Sequence, residues 1–257
     1  MNLANEPGSW DKDFSHAYLE RLYARLKRDF DLALLGDASE EDSAHDRPRA
    51  FVRHDIDVSL ERAVELARKE QEWGVRSTYH VMLDSPFYDV RSERSAAAIA
   101  EIIAIGHEVG LHYDVVARKT KTVDGVTREK DIDSACKELA SIIGRDVRSL
   151  SFHLPIEELI RGPLRVAGRV SGYAKELFQW YLSDSRARWR EGDPIESLGM
   201  PRGKVLQILI HPIWWGETDM RPAERLREWL LGLSGRDAYE AMRAKLWDHI
   251  IFRAADP

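Results

Sequence analysis

Cysteine is almost missing from these 257 residues, and the single thiol, Cys136, excludes an internal disulfide. Cys136 falls in a segment of amphipathic spacing, which predicts a buried thiol, and nothing around it marks an activated nucleophile. Surplus positive charge is also lacking: the formal net charge is -6, which gives no general attraction to nucleic acid or an anionic membrane. Neither is expected as a partner. Long apolar runs are absent too. The most apolar stretch, VLQILIHPIWW at 205–215, is too short to span a bilayer and carries a histidine, so it predicts a buried strand running into a site. The opening MNLANEPGSWDKDFSHAYLERL has neither the basic nor the apolar region of a secretion signal, so a cytoplasmic location is expected.

What is present is a globular mixture, 44% apolar and 32% charged, which suffices for a sizeable core. Tyr18, Leu19, Leu22, Tyr23 and Leu26 recur at helical spacing and predict an amphipathic first helix. The acidic stretch GDASEEDSAHDRPR reads as a solvated connector. Strand and helix then alternate: a strand over Ala50 to Arg53, a helix from Ser59 to about Trp73 ended by Gly74, a strand over Thr78 to Leu83, a helix from Ser95 to Ile105, and a strand from Glu108 to Leu111. The basic insertion RKTKTVDGVTREK predicts a mobile loop before a helix containing Ala135, Leu139, Ile142 and Ile143 that stops at Gly144. Strands follow at Val147 to Phe152, Trp180 to Ser183 and Val205 to Ile210, with helices over Pro222 to Leu231 and Asp237 to about Ile251. Repeated βα units without a Pro/Gly/Ser-rich linker predict one α/β domain over 1–257 with a mainly parallel sheet, open or closed into a barrel.

The ends of these strands carry His54, Asp55 and Asp57, then His80, His112 and Asp114, His153, Asp184 and His211. A purely structural barrel would more readily place Val, Ile or Leu there, and catalytic groups in such folds come from the C-terminal ends of several strands. Histidine together with carboxylate suits a divalent ion such as zinc, which takes three protein ligands at a catalytic site and leaves one position for water. Duller readings stand beside this one. Asp55 or Asp57 can cap the following helix, His54 can hydrogen-bond within the core, and His80 can line a barrel without touching metal. His107, beside the helix-ending Gly106, reads as structural. Pro155 and Pro212 break their strands just after His153 and His211 and hold those side chains near solvent. Trp189, Trp214 and Trp215 can simply pack, but aromatics beside a polar pocket also suit stacking on sugar rings.

RHDID at 53–57, GHEVGLHYD at 106–114, SFHLP at 151–155, YLSDSRARW at 181–189 and LQILIHPIWW at 206–215 occur in that order. Together they resemble the five motif blocks of the polysaccharide deacetylases, carbohydrate esterase family 4 or NodB homology domain, over about 50–215. The likeness is to a divergent branch associated with bacterial O-antigen and capsule gene clusters. The resemblance implies a distorted (β/α)7 barrel and a divalent metal, usually zinc, that promotes removal of acetyl from an N-acetylated sugar. It maps Asp55 as general base, Asp57 as metal ligand, His112 as the first metal histidine and His211 as general acid. The family's second histidine would fall at position 116, which is Val116. His153 is expected to replace it, with Asp114 as reserve ligand. Asp184 and Arg186 fit the fourth block as groups that orient Asp55 or His211, while Tyr113, Trp189 and Trp214 are the expected sugar contacts.

The expected function is therefore a metal-dependent hydrolase acting on an N-acetylated sugar of a cell-surface glycan or its precursor. Two rivals stay open: a hydrolase of another amide or ester, and a degenerate protein that binds glycan or a partner without turnover.

Overall fold

The structure, a computed structural model, describes residues 13–200 and 202–234. The helix expected over Asp237 to Ile251 lies outside them. Helix α1 (His16–Asp29) starts where the Ser15 side chain accepts the amide of Tyr18, and it buries Leu19, Leu22, Tyr23 and Leu26 on one face. The connector that follows is more ordered than its charge implies. Strand β1 (Asp31–Ala33) precedes it, and within it Asp42 is buried, accepting the amide of Ser39 and pairing with Arg49. An acidic residue with a fixed cationic partner need not face solvent.

Strand β2 (Arg49–Ile56), helix α2 (Leu60–Glu72), strand β3 (Thr78–Val81), helix α3 (Glu93–Ala104), strand β4 (Glu108–Asp114), helix α4 (Gly125–Ile143) and strand β5 (Ser149–His153) form successive parallel βα units. Gly74 and Gly144, each at φ +67, end α2 and α4 as expected. The expected mobile loop at 118–130 is corrected: the Asp124 side chain caps α4 by accepting the amide of Thr127, so the helix begins inside that segment. Buried Arg128 fastens the approach by donating to the carbonyls of Thr120 and Val123. The chain continues through the hairpin β6 (Arg165–Val166) and β7 (Arg169–Ser171), strand β8 (Trp180–Ser183), short helix α5 (Pro194–Ser197), strand β9 (Val205–Ile210) and helix α6 (Pro222–Ser234). No helix among the described residues is long and apolar enough to cross a membrane.

The sheet order is β6-β7-β5-β4-β3-β2-β9-β8, with β1 beside β2 and, among the described residues, only the β6–β7 pair antiparallel. Seven parallel strands from β7 to β8 thus make a curled, distorted barrel. Its curvature is measurable. Ser151 of β5 and Asp55 of β2 are three strand spacings apart, about 14 Å on a flat sheet, yet Ser151 Oγ lies 2.9 Å from Asp55 Oδ1. Side chains rather than ladder bonds bridge the seam between β7 and β8: the Tyr173, Phe178 and Tyr181 rings follow one another at 5.9 and 4.6 Å.

Gly110 in β4 shows how tightly the interior is filled. A Cβ there would stand 2.6 Å from His80 Cδ2 and 2.7 Å from the Ser149 carbonyl oxygen. Gly110→Ala is expected to cost about 1–3 kcal/mol by overpacking, read as a lowered denaturation midpoint. An unchanged midpoint would show that the ring and strand can move apart.

Candidate active site

Strand alternation decides which side chains meet. On β2, Arg53 and Asp55 face the barrel interior, whereas His54 points to α2, where its Nε2 lies 2.7 Å from the buried Glu70 carboxylate. On β4, His112 points inward. On β5, Ser149, Ser151 and His153 share the inner face, and His211 follows β9. A pocket of about 210 Å³ opens there, lined by Asp55, Asp57, His112, His153, His211, Trp214, Arg186 and Arg190, among others. Leu154 also lines it at φ +48, a left-handed conformation that costs a branched residue about 1–2 kcal/mol.

Asp57, His112 and His153 are buried and bring one ligand atom each within 4.8 Å of the others. His112 Nε2 is 3.0 Å and His153 Nδ1 is 3.4 Å from Asp57 Oδ1, a buried oxygen that makes no hydrogen bond. The proton inventory explains why. Ser151 Oγ has one hydrogen and donates it to Asp55 Oδ1, so it must accept from His112 Nδ1–H at 2.7 Å. That fixes the tautomer of a neutral His112, whose bare Nε2 lone pair then faces the lone pairs of Asp57. Such an arrangement is repulsive without a positive centre between the donors. The three groups fit a divalent cation, and an imidazole–imidazole–carboxylate set suits zinc among others.

The fields in the pocket keep both carboxylates ionised. Burial alone would raise the Asp57 carboxyl, but His153, with His211 behind it, holds it well below the usual carboxylate range. Burial would lower His153, and Asp57 outweighs it and raises the imidazole. Asp55 is likewise pushed up by burial and pulled well below its ordinary value by the Arg53 guanidinium. The Arg53 guanidinium is fully buried, 3.7 Å from Asp55 Oδ2, with the Tyr173 ring centroid 4.7 Å away and Tyr181 Oη 3.5 Å away. His80 stands beside Asp55, Nδ1 to Oδ1 at 3.3 Å, and outside the metal-ligand cluster; burial lowers its pKa against the pull of Asp55.

His211 sits opposite. Asp184 accepts its backbone amide, contacts its Nδ1 at 2.6 Å and also accepts the Trp215 indole N–H, which clamps the ring. Its Nε2 then lies 3.9 Å from Asp57 Oδ2. Burial opposes the charged imidazole, but Asp184, with Asp57 and Asp55 behind it, pushes the pKa up to about 9.

Three expected site residues are placed elsewhere. Asp114, the reserve ligand, spends Oδ1 on the amides of Val116 and Ala117 and closes the turn after β4. Tyr113 is on the opposite face of β4 from His112, bonded to Thr120 and Asp131. Trp189 is wholly buried and packs against Trp215 at 6.4 Å. Of the three aromatic candidates only Trp214 lines the pocket, joined by Arg186, which has φ +63. Arg53 and Ser151 were not singled out in the sequence, although each lies two residues before a named site residue on the same strand face. His107 is structural: Nδ1 accepts the Ser77 amide, so Nε2–H donates to the Ala67 carbonyl of α2. A second triplet joins buried His16 to half-buried Glu65 and exposed Glu217, and Lys69 already stands 3.7 Å from Glu217.

No family model and no curated protein matches the chain. Among solved structures, it is similar to the peptidoglycan deacetylase PdaC from Bacillus subtilis at 13% identity and TM-score 0.44, covering 82% of this chain and 98% of that one. The Streptococcus pyogenes deacetylase PplD in complex with acetate matches at 8% identity and TM-score 0.40, over 82% and 85% of the two chains. BA3943 from Bacillus anthracis, a CE4 family pseudoenzyme, matches at 12% identity and TM-score 0.40, over 79% of this chain and 62% of that one.

Proposed function

We propose that the chain is a metal-dependent hydrolase of the polysaccharide-deacetylase type, removing acetyl from an N-acetylated sugar of a cell-surface glycan or its precursor. The observation that carries this reading is the convergence of Asp57, His112 and His153 beside Asp55, with His211 across the same pocket. Asp57, His112 and His153 would hold the ion, which supplies Lewis acidity to activate water and polarise the carbonyl under attack. The remaining work falls to the chain. Asp55, kept ionised by Arg53, takes the proton of the attacking water. His211, fixed through Nδ1 by Asp184, presents Nε2 to the departing amine and delivers the proton that lets the C–N bond break. Acetate and a free amino sugar result. Trp214, Leu154 and Pro155 give the acetyl group and sugar an apolar wall.

The chemistry of this pocket does not depend on what carries the acyl group, so the sugar rests on the motif resemblance. Asp55→Asn is expected to keep its metal and lose about 100- to 10,000-fold in acetate release from N-acetylated sugars. Wild-type turnover in that variant would remove Asp55 from the role. The reading as a glycan-binding protein without turnover is favoured by Val116 standing where the family has its second histidine. Purified protein that takes up no zinc after reconstitution would select it.

A further inference from the structure

Ser151 is wholly buried on the inner face of β5 and touches both halves of the proposed chemistry. Its Oγ lies 2.7 Å from His112 Nδ1 and 2.9 Å from Asp55 Oδ1. A hydroxyl has one hydrogen to give and lone pairs to accept, whereas an ionised carboxylate only accepts. The directions are therefore forced. Ser151 donates to Asp55 and receives Nδ1–H from His112, which in the neutral ring leaves His112 Nε2 bare and turned to Asp57, 3.0 Å away. The curl of the sheet makes this possible, since one β5 side chain spans to β4 and β2 at once.

We propose that Ser151 is the positioning residue that ties metal binding to base placement: one hydroxyl sets which imidazole nitrogen of His112 is free for the ion and fixes the carboxylate that draws the proton from water. This inference rests on the proposed function. It adds a residue whose small, uncharged side chain gives no sign of a role in the sequence. Partners of this kind orient ligands, and their loss typically costs 10- to 100-fold in metal affinity.

The experiment uses the full chain, with zinc affinity measured by chelator competition and ring nitrogens read by 15N NMR. In metal-free wild type at mildly alkaline pH, His112 is expected as the Nδ1–H tautomer. An Nε2–H tautomer there would overturn the proposal without any variant. Ser151→Ala is expected to bind zinc about 10- to 100-fold more weakly, and at saturating zinc to lose kcat with KM unchanged. Ser151→Thr, which keeps the hydroxyl, restores both. Should the alanine protein fail to fold, Ser151→Cys, of similar size but a weak hydrogen-bonding partner, is expected to show the same loss. Zinc affinity and kcat at wild-type level in a folded alanine or cysteine variant would overturn the proposal. The outcomes separate the two readings. Weakened zinc binding in a protein that releases no acetate from any acetylated sugar leaves Ser151 in place and removes the deacetylase reading. Acetate release that ignores Ser151 does the reverse.

Discussion

Asp57→Asn is expected to strip the site of its ion and cut turnover by about a thousandfold or more. The reason lies in the donor set. Asp57 is the only carboxylate in the triplet, and both imidazoles face its Oδ1. An amide is a poor substitute, because it carries no charge to balance a divalent cation. Losing the ion removes several kcal/mol of transition-state stabilisation, and each 1.36 kcal/mol is tenfold in rate. A thermal readout accompanies the kinetic one. An ion that binds only the folded chain stabilises it by RT ln(1 + [L]/Kd), roughly 4 kcal/mol at a thousandfold excess over Kd. Added zinc should therefore raise the melting temperature of wild type and leave Asp57→Asn where it was. An equal rise in both proteins would place the ion elsewhere.

Glu70→Ala should be the most destabilising change far from the pocket. Glu70 is wholly buried and accepts from Tyr23, Ser77 and Tyr79 while facing His54 Nε2 at 2.7 Å. Removing it orphans three hydroxyls and an imidazole together. Breaking a buried pair in this way costs about 3–5 kcal/mol, which for a chain of this size lowers Tm by roughly 6–20 °C. The same carboxylate sets an acid limb. Burial would raise its pKa, but His54, with His107 and Ser77 behind it, holds it at about 2, below the ordinary 4.5. A group depressed in the folded state stabilises above its unfolded value and loses that contribution as pH falls through the folded one. Stability should therefore drop between pH 4.5 and 2 in wild type, and Glu70→Ala should lack that part of the fall. Identical acid profiles would assign the transition to other groups.

Much of this could be read from periodicity. The βα alternation, the glycine stops at Gly74 and Gly144, and strands β8 and β9 at their full lengths follow from apolar spacing and helix-ending chemistry. Segments that obey no period were harder. Strand β1 has three residues and the hairpin strands two and three, too few to show alternation. The start of α4 is masked by charge, because TREK carries polar residues where an apolar stripe would announce a helix. At the site, residues of a chemically distinctive kind stood out at strand ends, and the structure draws Asp57, His112 and His153 together. Tyr113 shows the cost of reading type without alternation: as the neighbour of His112 on a strand, it had to face the other way. Ser151 and Arg53 show the converse, since same-face spacing from His153 and Asp55 marks them while their residue types draw no notice. Trp189 was illegible for another reason. Arg186 and Ala187 both take left-handed backbone, and no periodic pattern predicts where a chain emerges from such a turn.

The buried guanidinium of Arg53 bears on the order in which this protein is assembled. Small zinc modules collapse only around their ion, because nothing else offsets the crowding of their ligands. Here an internal cation arrives with the polypeptide itself, seated over the Tyr173 ring beside Asp55. Asp55 therefore has its counter-charge before any ion arrives, and under the proposed function a chelator is expected to stop turnover while leaving the barrel folded.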